Sequence, residues 1–214
     1  MKLLYKILNV TNKLLHDRGY IIGQNRILSF GEFLREVGIE GDIDEDSIPK
    51  PPENARSRLN YISSKRDNPE EKILLVFLDT LNKKIIRSIY FMLTEKSCNN
   101  CIIVVPDKKM ITSRNMIIID KLIENGLKTH VFFDGELEKN VTSNKYVPRH
   151  IILSNDHKDR FLKEMEIKDP VKKLPKILRS DPQVKYWGGK VNDIVKIIRP
   201  SETTGFTLFF KVVV

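Results

Sequence analysis

Cys98 and Cys101 have the spacing of a zinc-binding or redox pair, in the segment "CNNC". A structural zinc site needs four ligands, and the sequence contains no second CxxC pair and no paired histidines to complete one. A redox pair follows a strand and stands at a helix N-terminus, where the thiolate is stabilised, whereas this pair precedes the predicted strand "CIIVVP". We therefore predict that both cysteines are small buried hydrophobic residues.

Metal-dependent cleavage of a phosphodiester requires carboxylates and a lysine that converge on one site. The nearest matches are Asp107, which precedes two lysines, and Glu166, which stands two residues before Lys168. They fall on opposite sides of a predicted domain boundary, and Glu166 lies at a helix end. The histidines are scattered without metalloprotease spacing: His16, His130, His150 and His157. These patterns predict no catalytic residue, no metal and no cofactor.

One cluster has the chemistry to contact a phosphate group. Lys108, Lys109 and Arg114 flank Thr112 and Ser113 at the predicted start of a helix. Free backbone N–H groups, the positive end of the helix dipole and three cations together favour contact with a nucleic-acid backbone. An ordinary capped helix beside a solvated basic loop explains the same residues, and on the sequence alone it is the commoner explanation.

A β-hairpin is predicted at the C-terminal end, from "VNDIVKIIR" and "FTLFFKVVV". One face of its second strand is entirely apolar: Phe206, Leu208, Phe210, Val212 and Val214. The other face also carries Phe209 and Val213 and is therefore only half polar. A strand that is apolar on both faces is either central in a sheet or covered by another chain. Because few residues remain to cover it, we predict that another chain does so.

The predicted subunit interface comprises the linking segment and a few residues near it. The link offers groups that could fix a partner backbone by hydrogen bonds: Arg199, Pro200, Ser201, Glu202 and Thr203. Trp187, beside Tyr186, is either an interface anchor or a core residue. The predicted interface set also includes His150, Tyr186 and Phe209.

The composition is that of a globular protein, with 41% hydrophobic and 30% charged residues in 214. No apolar run approaches the ~20 residues of a membrane span, and the start lacks the features of a signal peptide. The formal charge of +9 is uneven: residues 1–143 hold 22 basic and 20 acidic residues, and residues 144–214 hold 15 and 8. A basic excess indicates nucleic acid or an acidic protein surface as partner, or a solubility bias with no partner.

Two domains are predicted, residues 1–143 and residues 144–214. The first begins with two helices, the second of them capped by Ser29 and Glu32, and continues through an acidic, Pro-rich surface loop over residues 40–55. Strands then alternate with helices, which favours a small α/β sheet. The second contains an extended segment, a helix capped by Ser154, a short helix that ends at Gly188, and the hairpin.

The segment "LPKILRSDPQVKYWGGKVNDIVKIIRPSETTG" resembles the C-terminal module of the RNA polymerase subunit shared by the eukaryotic nuclear polymerases, whose archaeal counterpart consists of this module alone. The family pattern L-P-[KR]-I, D-P, aromatic then Gly, and V-[VK]-I-x-R-x-S-E-T-x-G is found at Leu174–Ile177, Asp181–Pro182, Tyr186–Gly188 and Val195–Gly205. Further upstream, "VPRH", "LLHDRGY" and "IIVVPDKKMITS" also resemble the family, so that the resemblance covers nearly the whole chain.

The resemblance implies a non-catalytic subunit of a multisubunit DNA-directed RNA polymerase. Residues 1–143 would form a jaw domain with a small mixed sheet flanked by helices, similar to restriction-endonuclease folds but without catalytic residues. Residues 144–214 would form a small α+β assembly domain, docked on the largest subunit. The implied partners are the polymerase subunits and downstream double-stranded DNA, bound weakly and without sequence preference through the cluster at residues 108–114. No membrane, cofactor or small-molecule substrate is implied.

Three departures from the family pattern bear on the origin of the chain. Phe206 stands where many relatives carry a basic residue, Trp187–Gly189 replaces an aromatic-Gly-apolar run, and the acidic loop around Asp42–Asp46 is particular to this chain. With the Lys-, Ile- and Asn-rich composition, they favour a large DNA virus over a cell. The protein is expected to be intracellular, in the virion and infected-cell cytoplasm if viral and in the nucleus if cellular.

Two other functions remain open on the sequence. One is a free-standing DNA-processing enzyme of nuclease-like fold, which would use Asp107. The other is a basic interaction module with no role in a polymerase.

Overall fold

The computed structural model describes residues 1–39, 52–124 and 126–214, and these form two compact units, 1–139 and 140–214. The second unit therefore begins shortly before the boundary predicted near Asn144. Most of the predicted acidic loop, including Asp42–Asp46, lies outside the described residues. None of the helices in the described ranges has the length and apolar character that a bilayer span requires.

The first unit is built on a four-stranded mixed sheet in the order β1-β2-β3-β4. Its strands are β1 (Tyr61–Ser64), β2 (Lys72–Phe77), β3 (Asn100–Val105) and β4 (Lys128–Phe133). β1 is antiparallel to β2, and β2, β3 and β4 are parallel. The helices are α1 (Lys2–Asp17), α2 (Phe30–Glu36), α3 (Lys83–Glu95), α4 (Ser113–Glu124) and α5 (Asp134–Leu137). The predicted small mixed sheet with helices is confirmed.

The two middle strands of this sheet are covered on both faces. Every residue of β3 is buried, as is β2 from its second residue onward. Parallel strands in this position are continuous apolar runs because helices cover both faces, and "KILLVF" and "NCIIVV" have that pattern. On one face, Leu74 and Ile103 pack with Ile86 and Ile89 of α3 and Ile119 of α4. The crossover helices α3 and α4 thus cover this face of the sheet.

Caps predicted from the sequence determine where helices start and stop. The Ser29 N–H donates to Glu32 Oε2 at 2.7 Å, and the Glu32 N–H donates to Ser29 Oγ at 3.3 Å, which forms a capping box at α2. Ser29 donates hydrogen bonds to the Glu32 carboxylate from its side chain and its backbone, and these bonds hold the pKa of Glu32 below the usual value. The chain leaves the helix through Gly38, whose φ of +89° suits glycine alone.

The second unit contains a four-stranded sheet in the order β5-β7-β8-β6. Its strands are β5 (Arg149–Ile152), β6 (Lys176–Ile177), β7 (Ile194–Ser201) and β8 (Gly205–Val213). Its helices are α6 (Asn155–Glu164), α7 (Pro170–Lys173) and α8 (Pro182–Trp187). The predicted hairpin is the antiparallel pair β7–β8, and β6 runs parallel to β8. The overall class is α+β, with a sheet in each unit.

Helices cover the two faces of this second sheet at one end only. Val184 of α8 packs with Val195, Ile197 and Val213 on one face. On the other face, the ring of Phe161 in α6 stacks on Phe210, with the ring centroids 4.2 Å apart. The end of the hairpin nearest its turn extends beyond both contacts.

Candidate subunit interface and nucleic-acid contact

The two ends of β8 differ sharply in exposure. Val212 and Val213 are fully buried in the unit's own core, whereas Phe206, Leu208 and Phe209 are 60%, 40% and 44% exposed. Phe206 and Leu208 lie on one face and Phe209 on the other, because successive strand residues alternate. The prediction that this apolar strand is left uncovered by its own chain is therefore right for residues 206–209 and wrong for Val212 and Val213.

The turn of the hairpin uses some of the hydroxyl groups that were expected to bind a partner. The Oγ of Ser201 accepts from the Thr204 N–H at 3.4 Å and lies 3.2 Å from the hydroxyl of Thr203. The Thr204 hydroxyl donates to the Phe206 carbonyl at 3.2 Å. Gly205 has a φ of +75°, so glycine closes the turn without strain. These polar residues hold the turn in shape.

Arg199 and Glu202 remain available to a partner. Both are exposed at the end of the hairpin. Within the described part of the chain, neither side chain forms a hydrogen bond or an ion pair. A guanidinium and a carboxylate that hold no contact of their own can form charge-assisted hydrogen bonds to another chain. Pro200, opposite Phe206 in the register, is exposed beside them.

The aromatic residues near α8 require a correction. Tyr186 is only 2% exposed and therefore belongs to the core of the second unit, which was the alternative to an interface role. Trp187 is half-buried against it, with the ring centroids 5.4 Å apart. His150 is half-buried on β5, with Nδ1 2.7 Å from the Pro148 carbonyl oxygen. Of these three, Trp187 and His150 keep some surface for a partner.

The structure explains the unusual Gly188–Gly189 pair. Gly188 has a φ of +74° and its N–H donates to the Lys185 carbonyl, while the Gly189 N–H donates to the Val184 carbonyl at 2.9 Å. This pair of bonds is a Schellman ending, in which the first glycine takes the left-handed conformation. A Cβ atom at Gly189 would lie 2.7 Å from Val184 Cγ1 and 3.1 Å from Ile152 Cδ1. No side chain fits there because the sheet and α8 meet at that point.

The predicted phosphate-contact cluster is exposed at the carboxyl end of β3. All five members have exposed side chains: Lys108, Lys109, Thr112, Ser113 and Arg114. Asp107 accepts from the Lys109 N–H at 2.9 Å and so fixes the short helical turn Lys108–Met110. Thr112 Oγ1 accepts from the Asn115 N–H at 3.3 Å at the start of α4. The structure thus places the predicted residues together on one loop and helix start.

Buried Asn115 links this loop to the start of α3. Its Nδ2 donates to the Leu81 carbonyl at 2.9 Å and to the Met110 carbonyl at 3.1 Å. Parallel strands end at the same edge of a sheet, so the two crossover helices begin side by side. Three exposed basic residues therefore join the cluster on α3: Lys83, Lys84 and Arg87. These three residues were not predicted from the sequence, although the alternation of strands and helices was a signal that could have indicated them.

Neither a metal site nor a reactive thiol is found in the described residues. They contain no group of three or more His, Cys, Asp or Glu side chains that could hold a metal ion. Asp107, the carboxylate of the nuclease alternative, is engaged as a cap. Cys98 and Cys101 are free and 1% exposed each, and burial raises the pKa of both thiols. The interpretation of both as buried hydrophobic residues is confirmed.

Comparison with known proteins connects both units to a single family. The family model for the C-terminal domain of RNA polymerase Rpb5 matches residues 139–213. Two nematode proteins named DNA-directed RNA polymerases I, II, and III subunit RPABC1 are each 30% identical to this chain, from Caenorhabditis briggsae over 213 residues and from Caenorhabditis elegans over 214. Each match covers 99% of this chain and 95% of the relative. The chain belongs to the Rpb5 subunit family.

Membership in the Rpb5 family extends beyond the C-terminal motif. The subunit of the same name from Dictyostelium discoideum is 28% identical over 172 residues, which covers 79% of this chain and 86% of that protein. The resemblance inferred from residues 174–205 is therefore confirmed, and so is its extension over nearly the whole chain. These relatives are accessory subunits of an enzyme complex, and nothing in them supports the alternative of a free-standing nuclease.

Proposed function

We propose that this chain is a non-catalytic subunit of a multisubunit DNA-directed RNA polymerase and that its second unit docks on the largest subunit. The observation that carries the proposal is the exposed apolar end of the hairpin, formed by Phe206, Leu208 and Phe209, in a sheet whose other end is buried. Burying such a side chain contributes ~1.5–3 kcal/mol. The segment lies inside the region matched by the Rpb5 family model, which supports assembly as its role.

Replacing Glu202 with alanine is expected to weaken assembly without destabilising the free chain. A charged hydrogen bond contributes about 1–3 kcal/mol, which corresponds to a roughly 5- to 150-fold loss of affinity. The melting temperature should not change, because Glu202 has no partner among the described residues. The measurement is the amount of largest polymerase subunit retained by the epitope-tagged full chain, produced in its own source and quantified by mass spectrometry.

The control for Glu202→Ala is Glu164→Ala, which removes the same charge from the exposed end of α6. This variant should retain the largest subunit at the normal level. Normal retention by Glu202→Ala, or a large fall in the melting temperature of its free chain, would contradict the predicted contact. If the unaltered chain retains no polymerase subunit at all, the proposed function itself is wrong.

For the first unit we propose the role of a jaw beside downstream DNA, with the basic residues at the starts of α3 and α4 against phosphates. Six exposed cations at one edge of the sheet support this proposal, together with two helix N-termini. The exposed carboxylates Asp79 and Asp107 lie at the ends of the same strands, and residues 1–139 carry a net charge of only +2, from 22 basic and 20 acidic residues. The proposed contact is therefore weak and independent of sequence.

Changing Lys108, Lys109 and Arg114 together to alanine is expected to weaken binding of the assembled polymerase to downstream duplex DNA. Removing one phosphate contact makes the dependence of log affinity on log salt concentration less steep by about 0.9, so the slope should change by about 2–3. The control changes Lys2, Lys6 and Lys13 of α1, which are exposed lysines on another element. Equal slopes for the two triple variants would exclude the contact.

The similarity of the jaw to restriction-endonuclease folds stays a proposal, supported by the mixed sheet in which an antiparallel edge strand joins three parallel ones. For localisation we propose the nucleus, since the relatives come from cellular organisms. The viral origin suggested by the departures from the family pattern stays a prediction.

A further inference from the structure

One edge of β8 has backbone groups that none of the described strands satisfies. The Val213 N–H donates to the Asp193 carbonyl on the β7 side, whereas the Val212 N–H donates to the Pro175 carbonyl on the β6 side. Because strand residues alternate, the N–H and C=O groups of Phe206, Leu208 and Phe210 also point away from β7. In the described residues β6 pairs with β8 only at Val212 and Val213. The outer edge of residues 206–210 therefore has no strand beside it.

A proline ends the β6–β8 ladder at this point. In the register that places Lys176 opposite Val212, the next bond along the ladder would run from the N–H of residue 175 to the Phe210 carbonyl. Residue 175 is Pro175, which has no N–H to donate. Proline at such a position stops pairing within a sheet. The chain's own strand cannot extend along the edge, and the edge stays open to another strand.

The side chains around this edge indicate what kind of strand fits it. Phe206 and Leu208 present apolar surface on one face and Phe209 presents it on the other. A partner strand beside them would bury apolar side chains on both of its faces. The unit that carries the edge has a net charge of +7, from 15 basic and 8 acidic residues over 140–214. This charge favours acidic residues on either side of the apolar segment of the partner.

We propose that the outer edge of β8, from Phe206 to Phe210, is completed by an extended strand of the polymerase subunit on which this unit docks, a segment of about five residues that is apolar at its centre and acidic at its flanks. The inference rests on the proposed function and specifies the kind of contact. Main-chain hydrogen bonds provide the affinity in strand addition, and side-chain pockets provide the selectivity. Strand addition also explains why β8 stays apolar on both faces at Leu208 and Phe209, where none of the described strands lies at its outer edge.

The test compares Leu208→Pro with Leu208→Ala in the full chain. Both variants remove the leucine side chain, but only proline removes the outward N–H, at an edge position where proline is tolerated. Retention of the largest polymerase subunit should be lower for Leu208→Pro than for Leu208→Ala by about tenfold or more. Equal retention by the two variants overturns strand addition and leaves the proposed docking intact. Retention of no polymerase subunit by the unaltered chain overturns both.

Hydrogen exchange provides a readout that does not depend on a variant. In the free chain, the amides of Phe206, Leu208 and Phe210 should exchange quickly, while those of Thr207 and Phe209, which bond to β7, are protected. In the assembled polymerase the first three should slow by about 100-fold or more. Unchanged exchange of these three on assembly overturns the proposal. So does concentration-dependent self-association that Leu208→Pro abolishes while polymerase retention stays normal, because the occupant is then a second copy.

Discussion

Replacing Arg56 with alanine is expected to lower the stability of the first unit by about 3–5 kcal/mol. The Arg56 guanidinium donates two hydrogen bonds to the carboxylate of Asp134, at 2.8 Å each, and lies 5.8 Å from the ring centroid of Phe77. Arg56 is 8% exposed. Its loss would leave a nearly buried carboxylate without the partner that compensates for its removal from water, which is the costly way to break an ion pair.

The loss of stability should be measured at backbone amides of β3. Tryptophan fluorescence does not report on this unit, because the single tryptophan, Trp187, lies in the other unit. Amide hydrogen exchange at Ile102 and Val104 in the full chain gives the free energy of opening of the sheet. Arg58→Ala removes an exposed arginine two residues away and should change that energy by less than about 0.5 kcal/mol. A loss below about 1 kcal/mol for Arg56→Ala would mean that the pair behaves as a surface salt bridge.

A double-variant cycle separates the ion pair from packing. Asp134→Ala removes the other charge, and the double variant Arg56→Ala with Asp134→Ala leaves no charge buried alone. The double variant should therefore lose less stability than the sum of the two single variants. If the losses simply add, the two side chains act independently and the hydrogen bonds between them contribute little.

Elements that depend on local sequence patterns were predictable. The capping box at Ser29 and Glu32, the helix that Ser154 starts and the C-terminal hairpin all occur where they were predicted. Each rests on a signal a few residues long, namely a hydroxyl before a helix or alternation along a strand. The family motif in residues 174–205 is also local, and its residues alone were enough to indicate the function.

Features that depend on distant contacts were not predictable. Arg56 and Asp134 are 78 residues apart, and nothing near either one indicates the pair. Leu3 has the spacing of the apolar residues of α1, but it is 49% exposed, while the polar residues Thr11 and Asn12 are buried. Tyr186 is an aromatic residue of the type that often anchors an interface, but it lies in the core. In each case the tertiary neighbours determine burial, and a single sequence does not show them.

The uncovered part of the apolar strand was predictable only where a local pattern and topology agree. The alternation of β8 showed that both faces carry apolar residues. Only the register shows that the pairing with β6 starts at Val212 and that no described strand lies on that side of residues 206–210. The basic cluster at residues 108–114 was found from its sequence, whereas its continuation on α3 requires the parallel order of β2 and β3. The sequence pattern shows that a segment is apolar or basic, and topology shows whether other elements of the described chain cover it.

Replacing Gly189 with alanine is expected to destabilise the second unit by about 1–3 kcal/mol. The added methyl group would lie 2.7 Å from Val184 Cγ1, in a core where Val184 is fully buried, so that α8 and β5 must move apart. The fluorescence of Trp187 reports this unit during urea unfolding of the full chain. The matched control is Gly31→Ala in α2, where a Cβ atom meets nothing within 4 Å and helix propensity favours alanine, so it should not reduce stability.

Removing the obstacle distinguishes a steric clash from a requirement for glycine itself. Val184→Ala deletes the methyl group that the new Cβ would strike, so the double variant Val184→Ala with Gly189→Ala should lose less stability than the sum of the single losses. The residue at position 189 and the side chain at position 184 then fill a shared volume, which explains why a second glycine follows Gly188. Strictly additive losses would mean that the backbone at Gly189, and not the space beside it, excludes a side chain.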